Sequence, residues 1–143
     1  MSDALPPRLD EIVRDFADAP RDLRLEVLLG FAKSFPTLPE AYVDRTDLER
    51  VEECQTPLFL ATELREGRVR LVFDAPAEAP TTRGFASILH AGLDGETPEA
   101  ILAVPDDVGA RLGLTDVVSP LRMRGFSSLL ARVKRQVREL VAA

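Results

Sequence analysis

Apolar residues recur along this chain with two different periods, and the change from one to the other marks its blocks. Leu9, Ile12, Val13 and Phe16 follow Pro6-Pro7 at i, i+3, i+4 and i+7. That spacing puts them on one face of a short amphipathic helix. Asp18-Ala19-Pro20 stops this helix and opens the next. Leu23, Val27, Phe31 and Phe35, with Leu28 beside them, mark a second helical face that Pro36 and Pro39 end. Two short helices joined by a tight break are expected to pack as a helical hairpin. Residues 36–47 read as an irregular connection.

The period then drops to two. Residues 58–64 are a strand candidate. Arg65-Glu66-Gly67-Arg68 is a turn, and Val69, Leu71 and Phe73 alternate with Arg70 and Val72 as in a half-buried strand. Residues 58–73 therefore predict a β-hairpin, and residues 48–53 a third strand with Cys54 at its bend. Residues 74–80 hold two prolines and read as a loop. Residues 84–91 predict a helix that Gly92 would cap. Thr97-Pro98-Glu99 combines an N-cap, a proline at the first helical position and an acid in the first turn, and opens a short helix through Leu102. Leu112 and Leu114 anchor a further turn. Ser119-Pro120 repeats the cap-then-proline signature before the longest stripe, Phe126, Leu129, Leu130, Val133, Val137 and Leu140. Two helices, a small antiparallel sheet and then more helices argue an α+β fold.

Length and composition narrow the class. The 143 residues suit a single domain spanning 1–143, with a core of about 5–140, and 45% apolar residues suffice for one core. A net charge of −6 argues against nucleic acid as a partner. The charge is uneven. Residues 119–143 carry six Arg or Lys against one acid, a net of +5, so the preceding 118 residues, with 12 basic and 23 acidic groups, stand at −11. The basic segment reads as a solvated helix face or as one side of a partner interface. No signal-peptide pattern is seen, and no apolar run nears the ~20 residues that span a bilayer. With one cysteine, this fits a reducing cytoplasm and no membrane.

Candidate chemistry centres on that cysteine. One thiol and one histidine cannot complete a structural zinc site, which wants four ligands. No P-loop, dinucleotide fingerprint or Gly-x-Ser-x-Gly elbow is present. A Cys–His hydrolase would need Cys54 with His90, but His90 falls on a predicted helix as a surface or half-buried residue. Cys54 itself is either a small buried hydrophobe or a reactive sulfur at a loop tip. Glu52 and Glu53 disfavour a free-standing thiolate by like-charge repulsion. A thiol activated on docking in a partner's basic site is the more consistent form.

Three ordered blocks carry a family resemblance. Glu53-Cys54-Gln55-Thr56-Pro57-Leu58-Phe59 is similar to the Gly-Cys-Gln-Ser-Gln-Val-Trp segment of SufE and CsdE-like sulfur acceptors. Ser119-Pro120-Leu121-Arg122-Met123-Arg124-Gly125 resembles that family's Ser/Thr-Pro-Ser-Arg-x-x-Gly, and Arg83-Gly84 its Lys-Gly after the hairpin. The resemblance covers roughly residues 5–140. It implies that Cys54 receives sulfane sulfur from a pyridoxal-dependent, SufS-like cysteine desulfurase as a persulfide, stimulates that enzyme, and passes sulfur to a scaffold for iron–sulfur cluster assembly. It implies no cofactor beyond that transient persulfide, and a monomer is the expected state. Arg122 matches the family arginine near the cysteine loop and would stabilise the loop or the anionic sulfur; otherwise it is a helix N-terminal residue paired to an acid. The N-terminal dipole of the helix opened by Ser119 would favour the same anion.

The chain departs from the family at Glu53, where a glycine is usual, at Thr56-Pro57 in place of Ser-Gln, and in the acidic turn replaced by Asp74-Ala75-Pro76-Ala77-Glu78. Two other functions share the resemblance: a docking regulator of a desulfurase that carries no sulfur, and a relay to another thio-modification pathway.

Overall fold

The structure, a computed structural model, describes residues 5–44, 47–52 and 56–143. Among them the chain forms six α-helices and a three-stranded antiparallel sheet, an α+β fold as the two periods predict. Helix α1 (Pro7–Asp18) starts on a proline at its first position and buries Leu9, Ile12 and Phe16. A 3-10 turn at Arg21–Leu23 leads into α2 (Arg24–Lys33).

The expected hairpin of α1 and α2 does not stand by itself. Both helices lie chiefly against α3 (Pro80–Leu93), and they meet each other through the stacked rings of Phe16 and Phe31, 5.8 Å apart. The buried face of α2 is also turned from the one expected. Leu28 is fully buried, whereas Leu23 is 44% exposed and Val27, Phe31 and Phe35 only partly covered. Gly84 is the reason. A Cβ there would stand 2.6 Å from Leu28 Cδ1 and 2.8 Å from the Leu28 carbonyl oxygen, so the missing side chain admits Leu28 to the helix surface.

Helix α3 is longer at both ends than residues 84–91. It begins at Pro80, where the ring suits the first turn, and it runs through Gly92. Gly92 is therefore not a cap. It lies inside the helix, where a Cβ would meet Leu9 Cα at 3.1 Å. The left-handed residue after the helix is Gly95, at φ 86°.

Strands β1 (Glu49–Arg50), β2 (Phe59–Arg65) and β3 (Arg68–Asp74) lie in that order. Glu66 and Gly67 join β2 to β3 with φ of 52° and 77°, the left-handed pair that a two-residue hairpin needs. The third strand is shorter than residues 48–53. After Glu49↔Leu60 and Arg50↔Phe59, the Val51 N–H still donates to the Leu58 carbonyl at 2.8 Å, and pairing then stops.

Leu58, Leu60, Val69, Leu71 and Phe73 point into the main core beneath α3 and α6 (Pro120–Ala142). Ala61 and Val72 face the other way, under Tyr42, Leu38 and Leu48. The irregular connection thus covers the second face of the sheet. The Tyr42 hydroxyl donates to Glu63, and burial, then that bond and the Glu63 charge, push the phenol up to about 12.

Three short helical turns follow α3: α4 (Pro98–Leu102), α5 (Val108–Arg111) and a 3-10 turn at Leu114–Asp116. Thr97 caps α4 by accepting from the Ala100 N–H at 3.2 Å. Ser119 caps α6 in the same way, accepting from the Arg122 N–H at 3.3 Å. The α6 stripe is buried from Phe126 to Val137, with Leu140 half covered. Lys134 joins that buried face unexpectedly. Its ammonium donates to the Val104 carbonyl and to Asp106. Among the described residues no helix is long and apolar enough to cross a membrane.

The close approach at Gly84 sets a test. Gly84→Ala forces Leu28 and its backbone away and is expected to cost about 1–3 kcal/mol, read as a lower urea midpoint at unchanged slope.

Candidate functional site

Cys54, with Glu53 and Gln55, lies outside the described residues. The frame on either side of it is described. Val51 and Leu58 are both fully buried, and they pair through the 2.8 Å bond above. The residues that flank 52–57, Val51 and Leu58, are thus both set in the core.

Helix α6 holds the strand that leads into this connection. Glu49 accepts hydrogen bonds from Arg132, from Arg135 and from Gln136 Nε2, the last at 2.8 Å. Arg132 also donates to the Arg50 carbonyl at 3.3 Å. Burial alone would raise the Glu49 pKa. The bonds from Gln136, Arg132 and Arg135, with the Arg135 charge, outweigh it and hold the carboxyl below its ordinary value.

Past the undescribed residues, Thr56 Oγ1 lies 2.9 Å from Thr82 Oγ1, in the first turn of α3. Both threonines line a cavity of about 260 Å³. Its other walls include Glu78, Phe85, Leu121, Arg122 and Gly125. The fold therefore brings Arg122 to a cavity bounded by a residue two positions from Cys54. Arg122 is exposed, and among the described residues, which do not include Glu53, its guanidinium is bound to no carboxylate. The first turn of α6 contains no acidic residue, which leaves its N-terminal dipole free to favour an anion.

Arg83, the counterpart of the family lysine, shapes the same region from outside the cavity. Its Nε and Nη2 donate to the Ala75 carbonyl at 2.9 and 2.7 Å, and its guanidinium stands 4.3 Å above the Phe35 ring. It ties the end of α2, the segment after β3 and the start of α3 together. Ala79 and Glu78, in that segment, then form a cavity wall.

His90 is elsewhere. It lines a separate concavity with Val27, Phe31, Ser34 and Ser87, and it stands edge-on to Phe73. Burial lowers its pKa, with Arg8 and Arg70 adding and Asp94, 3.8 Å away, opposing. A histidine that is absent from the walls around Thr56 and Arg122 gives a Cys–His hydrolase no support. Among the described residues no group of three or more His, Cys, Asp or Glu could hold a metal ion.

The basic helix is neither simply solvated nor wholly free for a partner. Arg132 and Arg135 serve Glu49, and Lys134 serves the α4–α5 connection. Sequence reasoning missed Thr82, Glu78 and Phe85 as site residues, since they belong to no spaced motif. Gly125 could be found, as the glycine that closes the Arg122 segment. The arrangement offers three threonines, a guanidinium, the Glu78 carboxylate and a helix N-terminus around a small, partly apolar space. The guanidinium and the helix N-terminus favour a compact anion such as a thiolate or persulfide, and Glu78 opposes it.

Known proteins are similar to this chain over nearly its whole length. The SufE family model, an Fe-S metabolism associated domain, matches residues 10–137. An uncharacterized SufE-like protein of Mycobacterium tuberculosis is 53% identical over 137 residues, 95% of each chain. SufE-like protein 1 of Arabidopsis thaliana, chloroplastic/mitochondrial, is 28% identical over 95% of this chain and 36% of its own length. The solution structure of a hypothetical protein from Thermus thermophilus superposes with a TM-score of 0.87 at 41% identity, covering 98% of this chain and 100% of that one.

The Glu49 cluster generates a pH prediction. A carboxyl whose folded pKa is depressed adds stability that is present above its unfolded value, about 4.3, and is lost as the pH falls through the folded value. Glu49→Gln is expected to cost about 1–2 kcal/mol at pH 7. Acid unfolding followed by circular dichroism should then show a smaller loss of stability below about pH 4.3 than in the parent, because the titrating group is gone.

Proposed function

Because the chain belongs to the SufE family of sulfur acceptors, we propose that it takes sulfane sulfur from a cysteine desulfurase onto Cys54, raises that enzyme's turnover and relays the sulfur to iron–sulfur cluster assembly. The step is a displacement at sulfur. The Cys54 thiolate, its proton lost, attacks the terminal sulfur of the desulfurase's cysteine persulfide. A new S–S bond forms on Cys54, and the old one breaks. The electron pair of the broken bond stays on the desulfurase cysteine as its thiolate. Cys54 then carries a persulfide with a negative terminal sulfur, and no external oxidant or reductant enters.

One observation carries this reading: Arg122 and Thr56 line the same cavity, and Thr56 is two residues from Cys54. A cation with no carboxylate bound to it among the described residues, at a helix N-terminus, lowers the energy of a thiolate or persulfide that reaches it. Glu52, exposed on the other side of Cys54, opposes a standing thiolate in the isolated chain. The nucleophile is then formed most readily when a partner's basic surface meets the loop. The pyridoxal cofactor belongs to that SufS-like partner, and a scaffold complex takes the sulfur onward.

Intact mass after incubation with an active cysteine desulfurase and free cysteine tests the reading. The parent chain should gain sulfur-atom increments that reductant removes, and Cys54→Ser should gain none and lose stimulation. An unchanged parent mass would overturn the acceptor role. Stimulation that survives in Cys54→Ser would favour a docking regulator instead. Arg122→Ala should keep its fold and lower stimulated turnover about tenfold, the loss of one charge-assisted contact.

A further inference from the structure

We propose that Thr82 is a positioning residue for Cys54, acting through the hydroxyl–hydroxyl hydrogen bond it shares with Thr56. The inference rests on the sulfur-acceptor reading for its consequence and on geometry for its cause. Thr56 and Thr82 are 26 positions apart in sequence and belong to different elements, yet their Oγ1 atoms stand 2.9 Å apart. Both are half-buried at the wall of the cavity that Arg122 lines.

The two partners differ in how firmly they are held. Thr82 is a fixed point. It sits in the first turn of α3, between Pro80 and Arg83, and Arg83 is pinned by the Ala75 carbonyl and the Phe35 ring. One residue further on, Gly84 abuts the Leu28 backbone. Thr56 belongs to the connection between β1 and β2. From its C-terminal side it is restrained by Pro57, whose ring limits φ, and by Leu58, buried and paired with Val51. Those restraints act on the backbone that follows Thr56. The Thr56 side chain adds a separate restraint by bonding to the first turn of α3, two positions from Cys54 in sequence. A catalytic group needs such support from its neighbours to hold its reacting atom within a fraction of an ångström of productive geometry.

Valine has the shape of threonine without the hydroxyl, and serine keeps the hydroxyl without the methyl. The variants Thr82→Val, Thr82→Ser, Thr56→Val and the double Thr56→Val/Thr82→Val separate bonding from packing. Two readouts apply to each: the alkylation rate of Cys54, the only thiol in the chain, by iodoacetamide at fixed pH, and desulfurase turnover against concentration of the chain.

Thr82→Val should melt like the parent and alkylate about threefold or more faster, since one tether is gone. It should lower the turnover reached at saturation by a similar factor and leave the half-saturating concentration little changed. Thr82→Ser should match the parent in both readouts. The double variant should be no worse than either single one. Parent-like behaviour of Thr82→Val in both readouts overturns the proposal. So does equal impairment of Thr82→Ser, which would make packing the cause, or a double variant whose effect is the sum of the two. If Thr82→Val fails to fold, Thr56→Val breaks the same bond from the loop side and carries the same expectation. A parent chain that takes up no sulfur defeats the acceptor reading alone, and the alkylation comparison still judges the hydroxyl pair.

Discussion

Helix α3 reaches its neighbours backbone to backbone at two glycines, and the arrangement of everything else follows from that approach. At Gly84 the space for a Cβ is filled by Leu28, and at Gly92 by Leu9. Residues 84–89 of α3 are buried throughout, with Gly92 and Leu93. Protein interiors tolerate little added volume. Larger residues at those positions would part α1 and α2 from α3, and the single core that runs from Leu9 to Val137 would lose its centre. Because the middle of α3 is fixed in this way, its first turn is presented rigidly at the surface. That turn carries Thr82 and Arg83 and forms one side of the cavity that Thr56 lines.

Helix α6 supplies the opposite side and does two jobs along its length. Its first turn brings Arg122 to the cavity, and Gly125 lines the wall beside it. Further along, Arg132, Arg135 and Gln136 converge on Glu49 and hold β1 in place. A two-residue edge strand has few ladder hydrogen bonds to keep it paired. The charge cluster makes up for them, and the core burial of Val51 and Leu58 finishes the anchoring. One rigid helix thus sets both the cation at the cavity and the strand that precedes residues 52–57. The positive charge of this segment, set against an acidic body, has an internal use before any partner is considered.

The site that results is modest in size and mixed in character. Phe85 and Leu121 give it apolar wall, while Thr56, Thr82, Glu78 and Arg122 give it polar groups. Under the proposed reading the site holds a reactive anion briefly and releases it, which a deep, fully closed pocket would serve poorly. The observed cavity is open, with Thr56 in its wall and Arg122 as its cation. Leu121 is 44% exposed at that rim and adds apolar surface next to the cation, a combination that suits contact with another protein.

How far the sequence could be read depended on whether a feature was local. The two short helices, the hairpin with its Glu66-Gly67 turn, the caps at Thr97 and Ser119 and the α6 stripe were legible, because spacing, capping chemistry and turn conformation act within a few residues. Cys54 and Arg122 stood out through their surrounding segments; Arg122 lines the cavity that Thr56 also lines, and Cys54 lies outside the described residues. The buried face of α2, the full length of α3, the role of Gly92 and the burial of Lys134 were not legible. Each depends on which surface comes to lie opposite: Gly84 selects Leu28, Leu9 fills the place beside Gly92, and the Val104 carbonyl receives the Lys134 ammonium. Thr82 and Glu78 carry no periodic or motif signal, and they enter the site only because α3 and the connection into β2 meet there. Local chemistry was enough to mark most of the elements and to single out the one thiol. The walls of the cavity that Thr56 lines were settled in three dimensions, because Thr56, Thr82 and Arg122 come from segments distant along the chain that become neighbours only once the core has packed.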